Sequence, residues 1–161
     1  MNTPFKSHHK HDHQQCIDNA LQQAEQLCLE RGVRLTSLRK RVLALIWQSH
    51  KPLGAYDILN VLATEDGRNA APPTVYRALD FLLENQLIHR LASRNAFVGC
   101  AHPAHIHEGY FLICSQCNNV LELEQTTINK AIETAAKKAD FLITGQTVEV
   151  VGLCNNCQER N

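Results

Sequence analysis

The imidazoles and thiols of this sequence are gathered into a few short stretches. Residues 89–122, HRLASRNAFVGCAHPAHIHEGYFLICSQCNNVLE, hold four of the nine histidines (His89, His102, His105, His107) and three of the seven cysteines (Cys100, Cys114, Cys117). A second C-x-x-C pair, Cys154 and Cys157, follows further on. Imidazole nitrogen and thiolate sulfur are ligands of a borderline-soft metal such as zinc. Two pairs of thiolates, each on a tight turn, supply the four sulfurs of a tetrahedral zinc site. Such a site is coordinatively closed, so it stabilises a fold and leaves no position for a substrate. The 36 residues between the pairs exceed the roughly 15 to 20 of a common zinc ribbon. A helix and a strand must therefore lie inside the closed loop, and closure entropy rises only slowly with length. A dithiol redox motif would account for one pair but not for two.

Composition narrows the field. No run approaches the roughly 18 to 20 apolar residues of a membrane span. The N-terminal stretch MNTPFKSHHKHDHQQC is polar and lacks the apolar core of a signal peptide, so a cytoplasmic location is expected, with no membrane partner. Thiols stay reduced there, and an odd number of cysteines points to metal or free thiols rather than disulfides. The net charge is zero, but residues 1–95 carry 12 Lys/Arg against 9 Asp/Glu and residues 96–161 carry 4 against 7. The first half is the better neighbour for a polyanion.

The elements that would position these ligands change character along the chain. Residues 1–15, with His8, His9, His11 and His13, have no apolar pattern and read as a disordered tail, either merely solvated or weakly metal-binding. From Cys16 a helical period sets in, with Ile17, Leu21, Ala24 and Cys28 on one face and Gly32 as the stop. Thr36 caps a second helix that turns Leu38, Val42, Leu45 and Ile46 inward and clusters Arg39, Lys40 and Arg41 near its start. Pro52 and Gly54 end it, and a third helix buries Ala55, Ile58, Leu59 and Leu62. After the loop EDGRNAAPP, Pro73 opens a fourth helix with Val75, Leu79, Leu82 and Leu83 as its buried stripe. Thr74, Arg77 and Phe81 then point away from the core, with Tyr76 and Asp80 on the flanks. An outward arginine beside a tyrosine near a helix N-terminus suits a helix in the DNA major groove, where the guanidinium forks onto guanine. An ordinary amphipathic surface helix has the same pattern. Two short strands, Leu87–Ala92 and Ala96–Gly99, flank SRN as a hairpin. Three helices, a reading helix and a hairpin make a winged helix-turn-helix, with Arg90 or Arg94 on the wing for phosphate. Beyond His107 the pattern predicts strands at Tyr110–Cys114 and Val120–Glu124, a helix capped by Thr126 or Thr127 and running to about Ala139, and a long strand Leu142–Val151.

APPTVYRALDFLLENQLIH, RLTSLRKRVL and the paired C-x-x-C motifs resemble the ferric-uptake-regulator family of bacterial metal-sensing repressors, over roughly residues 17–157. Within it the chain is most similar to the zinc uptake regulators. The resemblance implies an α+β architecture, an N-terminal winged helix-turn-helix followed by a small C-terminal α/β dimerisation domain with structural zinc. The expected division is tail 1–15, winged helix 16–99, hinge 100–108 and dimerisation domain 109–161. By resemblance the structural ligands are Cys114, Cys117, Cys154 and Cys157, and the regulatory ligands are His89, Cys100, His107 and Glu122. That makes two zinc ions per chain. The DNA-reading positions match Tyr76 and Arg77, with Thr74 beside them. The expected partners are palindromic double-stranded operator DNA and a second copy of the chain, with no small-molecule substrate. Where iron-sensing members carry an HHDH-like run, this chain has AHIHEG. Where some members place a further ligand histidine, LITGQTVEVVGLC has none.

The donor set agrees with that assignment on chemical grounds. One sulfur, two nitrogens and one oxygen suit zinc better than magnesium, calcium or manganese. Taken singly, His89 reads as a strand-edge polar residue, Cys100 as a small buried residue and Glu122 as part of a solvated face. His102 or His105 could replace a ligand, and Glu108 could stand in for Glu122. Other functions remain in view: a family repressor responding to iron, manganese or peroxide, a zinc-buffering protein, or an enzyme. An enzyme would need an open coordination position beside a general base, and no H-E-x-x-H pattern occurs.

Overall fold

The protein is described by a computed structural model over residues 13–49, 51–65, 67, 71–104, 107, 109–123 and 126–160. Helix α1 (His13–Glu30) begins three residues ahead of the expected start at Cys16. The end of the tail expected to be disordered is therefore helical, and His8, His9 and His11 lie outside the described residues. Ala24 and Cys28 are buried on its inner face. It ends as its sequence requires: Gly32 adopts φ +66°, and the Val33 N–H returns to the Cys28 carbonyl at 2.9 Å. Helix α2 (Ser37–Trp47) is capped by Thr36, whose hydroxyl accepts from the Arg39 N–H at 3.4 Å. Strand β1 (Leu53–Gly54) leads into α3 (Ala55–Thr64), where the Gly54 N–H donates to Asp57 Oδ2 at 3.3 Å.

Helix α4 (Pro72–Glu84) starts at Pro72 rather than Pro73. Its buried stripe is Val75, Ala78, Leu79 and Leu82, whereas Leu83, expected in it, is only half-buried. Phe81, expected to face outward, is 9% exposed. Helix α4 packs against both α2 and α3, so its buried arc is wider than one apolar stripe, and the Arg39 guanidinium lies 3.6 Å from the Phe81 ring centroid. Strands β2 (Ile88–Leu91) and β3 (Ala96–Gly99) form the expected hairpin, closed by a single 3₁₀ turn at Ala92–Arg94 with Asn95 at φ +46°. Strand β1, too short to show a period, adds a third strand in the order β1-β3-β2.

The second half builds its own sheet. Strand β4 (Gly109–Cys114) pairs antiparallel with β5 (Val120–Leu123) and parallel with β6 (Thr147–Gly152), with α5 (Thr126–Lys138) between β5 and β6 and a short α6 (Asn155–Gln158) after them. The long strand expected from Leu142 begins only at Thr147. Its partner β4 starts at Gly109, which pairs with Thr147, so the β-branched residues before it have no ladder to join. The result is the expected α+β arrangement of a winged helix followed by a small α/β unit.

The two halves share packing. Leu91 and Val98 of the wing join Phe111, Ile113 and Val120 of the second sheet in one buried cluster. Beside it, Trp47 covers Gly99, where a Cβ would overlap the indole ring. Gly99→Ala should therefore destabilise the protein by about 1–3 kcal/mol through overpacking, read as a lowered midpoint in chemical denaturation. An unchanged midpoint would mean that Trp47 moves aside freely.

Candidate metal centres

The four-cysteine cluster follows from the parallel pairing of β4 and β6. Cys114 lies opposite Gly152 at the same end of the sheet, so each strand delivers a C-x-x-C turn to one place. Asn118, at φ +59°, turns the first pair back into β5, and α6 carries the second. Ser115 joins the turns, its N–H donating to the Gly152 carbonyl at 2.8 Å. The four sulfurs lie within 4.8 Å of one another, and Cys117 Sγ and Cys154 Sγ are 3.7 Å apart. Tetrahedral zinc, with Zn–S of about 2.3 Å, requires S···S edges of about 3.8 Å. All four cysteines are unbridged.

Their protonation chemistry also fits a cation. Backbone N–H groups of Cys117 and Cys154 point at Cys114 Sγ and lower its pKa to about 6, the Cys154 N–H lying 3.4 Å away. Burial raises Cys117, and burial with the neighbouring sulfurs pushes Cys157 up to about 12. One thiolate is stabilised by amides, while further thiolates at this spacing repel it. A divalent cation among them removes that conflict, and the amide donors then act as outer-shell partners.

The second cluster forms where the two sheets meet. His89 comes from β2, Cys100 from the end of β3, His107 from the connection and Glu122 from β5. Their ligand atoms also lie within 4.8 Å of one another. Cys100 Sγ is 3.5 Å from His107 Nε2, and Glu122 Oε1 is 2.6 Å from His107 Nε2 and 2.8 Å from His89 Nε2. His89 Nε2 is nonetheless misaligned for a hydrogen bond, a buried nitrogen without a hydrogen-bond partner. A zinc ion among these atoms needs the N···O edges to open to about 3.3 Å, while the S···N edge already has the required length. Burial works against ionised Glu122, but His89, the Ala101 N–H at 3.0 Å and His107 outweigh it and hold its pKa down at about 2. The carboxylate is charged and aimed inward, as a ligand must be.

These are the eight positions the sequence singles out for metal, gathered into two groups of four. His102 is exposed and outside both groups, while His105 and Glu108 lie outside the described residues. Thr74, Tyr76 and Arg77 are exposed on the first half of α4, and Tyr76 retains 45% of its surface. Sequence reasoning missed two polar contacts at the junction. Arg31 donates to the Asn85 carbonyl at 2.6 Å and the Pro103 carbonyl at 3.0 Å, tying α1 to the end of α4 and to the connection. Glu149 reaches from β6 to the 3₁₀ turn of the wing. Neither follows a local motif that could have announced it.

The sequence pattern of the Ferric uptake regulator family matches residues 30–151. The chain belongs to the ferric uptake regulator family. It is 39% identical over 140 residues to the zinc uptake regulation protein of Escherichia coli (strain K12), covering 86% of this chain and 81% of that one. Its fold is similar to that of a zinc uptake regulator complexed with zinc and DNA, with 37% identity, coverage of 89% and 96%, and a TM-score of 0.84. The holo form of XcZur matches at 44% identity over 88% of this chain and 99% of that one, with a TM-score of 0.80. The apo form, at the same identity over 88% and 97%, gives only 0.52. The overall arrangement of this chain is therefore closer to the holo than to the apo form of that relative.

Phe111 supports that arrangement. It is 1% exposed, and its ring centroid is 5.2 Å from that of His89. Phe111→Ala should cost about 3–5 kcal/mol in chemical denaturation and broaden the His89 ring resonances in NMR spectra. A cost below about 1 kcal/mol would show that the halves do not depend on this contact.

Proposed function

We propose that this protein is a zinc-responsive transcriptional repressor that binds palindromic operator DNA as a homodimer when zinc occupies the junction cluster. The observation that carries the reading is the origin of that cluster. Its four donors come from both sides of the junction, so whatever they hold together also sets how the reading helix is presented. In this reading residues 16–99, with α1 extended back to His13, form the DNA-binding domain. Residues 100–108 are the hinge, and 109–161 the dimerisation domain.

Each chain holds two zinc ions. Cys114, Cys117, Cys154 and Cys157 form the structural site, and His89, Cys100, His107 and Glu122 the regulatory site. Zinc bound at the second set supplies a cross-link between domains. The residues do the rest: Glu122 faces both imidazoles, His89 stacks edge-on against Phe111, and Cys100 terminates the wing. With the hinge free, few molecules have both reading helices spaced about 34–36 Å apart for successive major grooves. Moving such an equilibrium from mostly open to mostly closed needs about 5.5 kcal/mol of differential affinity. Thr74, Tyr76 and Arg77 face the DNA, with Arg77 forking onto a base edge and the hydroxyls holding phosphate. The dimer forms through the C-terminal half, where Phe141, Leu142, Val150, Val151 and Leu153 are exposed, Leu142 at 82%. The thiolate in the junction set favours zinc over iron(II) or manganese(II). No helix among the described residues is long and apolar enough to cross a membrane. The protein acts in the cytoplasm as a regulator rather than an enzyme. Mobility shifts on palindromic DNA, run beside metal analysis across zinc, iron(II) and manganese(II), test this reading. DNA affinity should rise with zinc alone, and a response only to iron(II) or manganese(II) would refute it.

Three substitutions test its parts. Arg77→Ala should leave fold, dimer and zinc content intact while weakening operator binding by about 1–3 kcal/mol more than random-DNA binding. An equal loss on all sequences would make Arg77 a phosphate clamp instead.

The two metal sites should fail differently. Cys114→Ser removes a ligand whose metal binding is coupled to folding of the C-terminal domain, so circular dichroism should lose signal and the dimer should dissociate or aggregate. Cys100→Ser should remain a folded dimer with one zinc per chain, yet gain no DNA affinity on zinc addition. Full zinc-dependent binding by Cys100→Ser would place the sensor elsewhere.

A further inference from the structure

Three side chains stand in a row across the second sheet. Glu122 on β5 and Glu149 on β6 are both register partners of Phe111 on β4, and residues paired across neighbouring strands share a face. That face is turned to the wing. Glu122 meets His89, Phe111 meets His89 and packs in one cluster with Leu91, and Glu149 meets Ala92. Strand β2 therefore crosses the row. The spacings agree: two strand separations span about 9.5 Å, and His89 to Ala92 along an extended strand spans about 10 Å.

The contact at the far end of the row is specific. Glu149 Oε1 accepts the Ala92 N–H at 2.7 Å and Oε2 accepts the Ser93 N–H at 3.2 Å. Both donors open a 3₁₀ turn, where the first N–H groups have no partner within the turn. Both acceptors belong to one carboxylate; burial works against its charged form, but the Ser93 hydroxyl, the two amides and Arg94 outweigh it and lower its pKa. Residues 56 and 57 positions apart in sequence are thus joined by charge-assisted hydrogen bonds. A wing fixed only at the metal cluster could pivot about it. A second fixed point about 10 Å away removes that rotation.

We infer that Glu149 is a positioning residue for zinc-dependent DNA binding, holding the wing turn on the C-terminal sheet so that the junction ligands meet already aligned. The inference rests on the repressor reading above. It places Glu149 outside the metal ligands and outside the DNA contacts, acting through the fraction of molecules in the binding-competent arrangement.

The test uses full-length Glu149→Ala and the isosteric Glu149→Gln, which keeps one acceptor and loses the charge. The zinc concentration for half-maximal operator binding should rise about tenfold in Glu149→Ala and less in Glu149→Gln. Zinc per chain and operator affinity at saturating zinc should stay within twofold of the unsubstituted protein, because excess zinc can still populate the closed form. Hydrogen exchange at the Ala92 and Ser93 amides should accelerate while the β4–β5 ladder keeps its protection. Should Glu149→Ala not fold, Glu149→Gln decides. A zinc midpoint unchanged in both variants overturns the role of Glu149 and leaves the repressor reading standing. So does equal loss of affinity at every zinc concentration, which marks a DNA contact. An unsubstituted protein whose DNA binding ignores zinc overturns both.

Discussion

Strand β2 lies across the face of the second sheet, and the orientation of the two halves depends on that crossing. Phe111 is its centre, buried against the His89 ring and clustered with Leu91 and Val98. Apolar packing there is non-directional, so by itself it would bring the halves together without setting an angle. The angle comes from the carboxylates on either side. Glu122 takes the Ala101 N–H and faces His89 and His107, and Glu149 takes two N–H groups of the wing turn. Hydrogen bonds to ionised acceptors are short and directional, which gives this interface a register that burial alone lacks.

Strand β4 connects the two candidate metal centres. Phe111 lies at the strand's contact with the wing, and Cys114 closes the strand three residues later in the thiol cluster. The four-cysteine cluster draws its thiols from the ends of β4 and β6, the strands that carry Phe111 and Glu149 of the row. The junction cluster draws on both halves. In the proposed reading one set bears on whether the C-terminal sheet forms, and the other on where the winged helix sits relative to it.

The reading helix is held at some distance from this chemistry. Its inner residues Val75, Leu79 and Leu82 are locked in the first core, and Arg39 stacked on Phe81 ties α2 to it. Arg31 links α1, the end of α4 and Pro103. Arg31 and the first core thus connect the segment after β3 with the helix whose exposed face carries Thr74, Tyr76 and Arg77.

Much of this was present in local pattern. The helical stripes of α1 to α4, the cap at Thr36, the stop at Gly32, the hairpin and the two C-x-x-C turns each depend on neighbours a few residues apart, and the sequence alone determined them. It also determined the donor types, sulfur, nitrogen and carboxylate, and hence the metal chemistry they favour. Tertiary structure decided what long-range pairing controls. Phe81 is buried because α4 has helices on two sides. Strand β6 starts at Thr147 because β4 offers no partner before Gly109. Strand β1 exists because β3 has a free edge for it to join. His89, Cys100, His107 and Glu122 became one cluster, and Glu149 a wing contact, only through register across the second sheet. Periodicity encodes which way a side chain faces, whereas a contact spanning more than fifty residues is set by how whole elements pack.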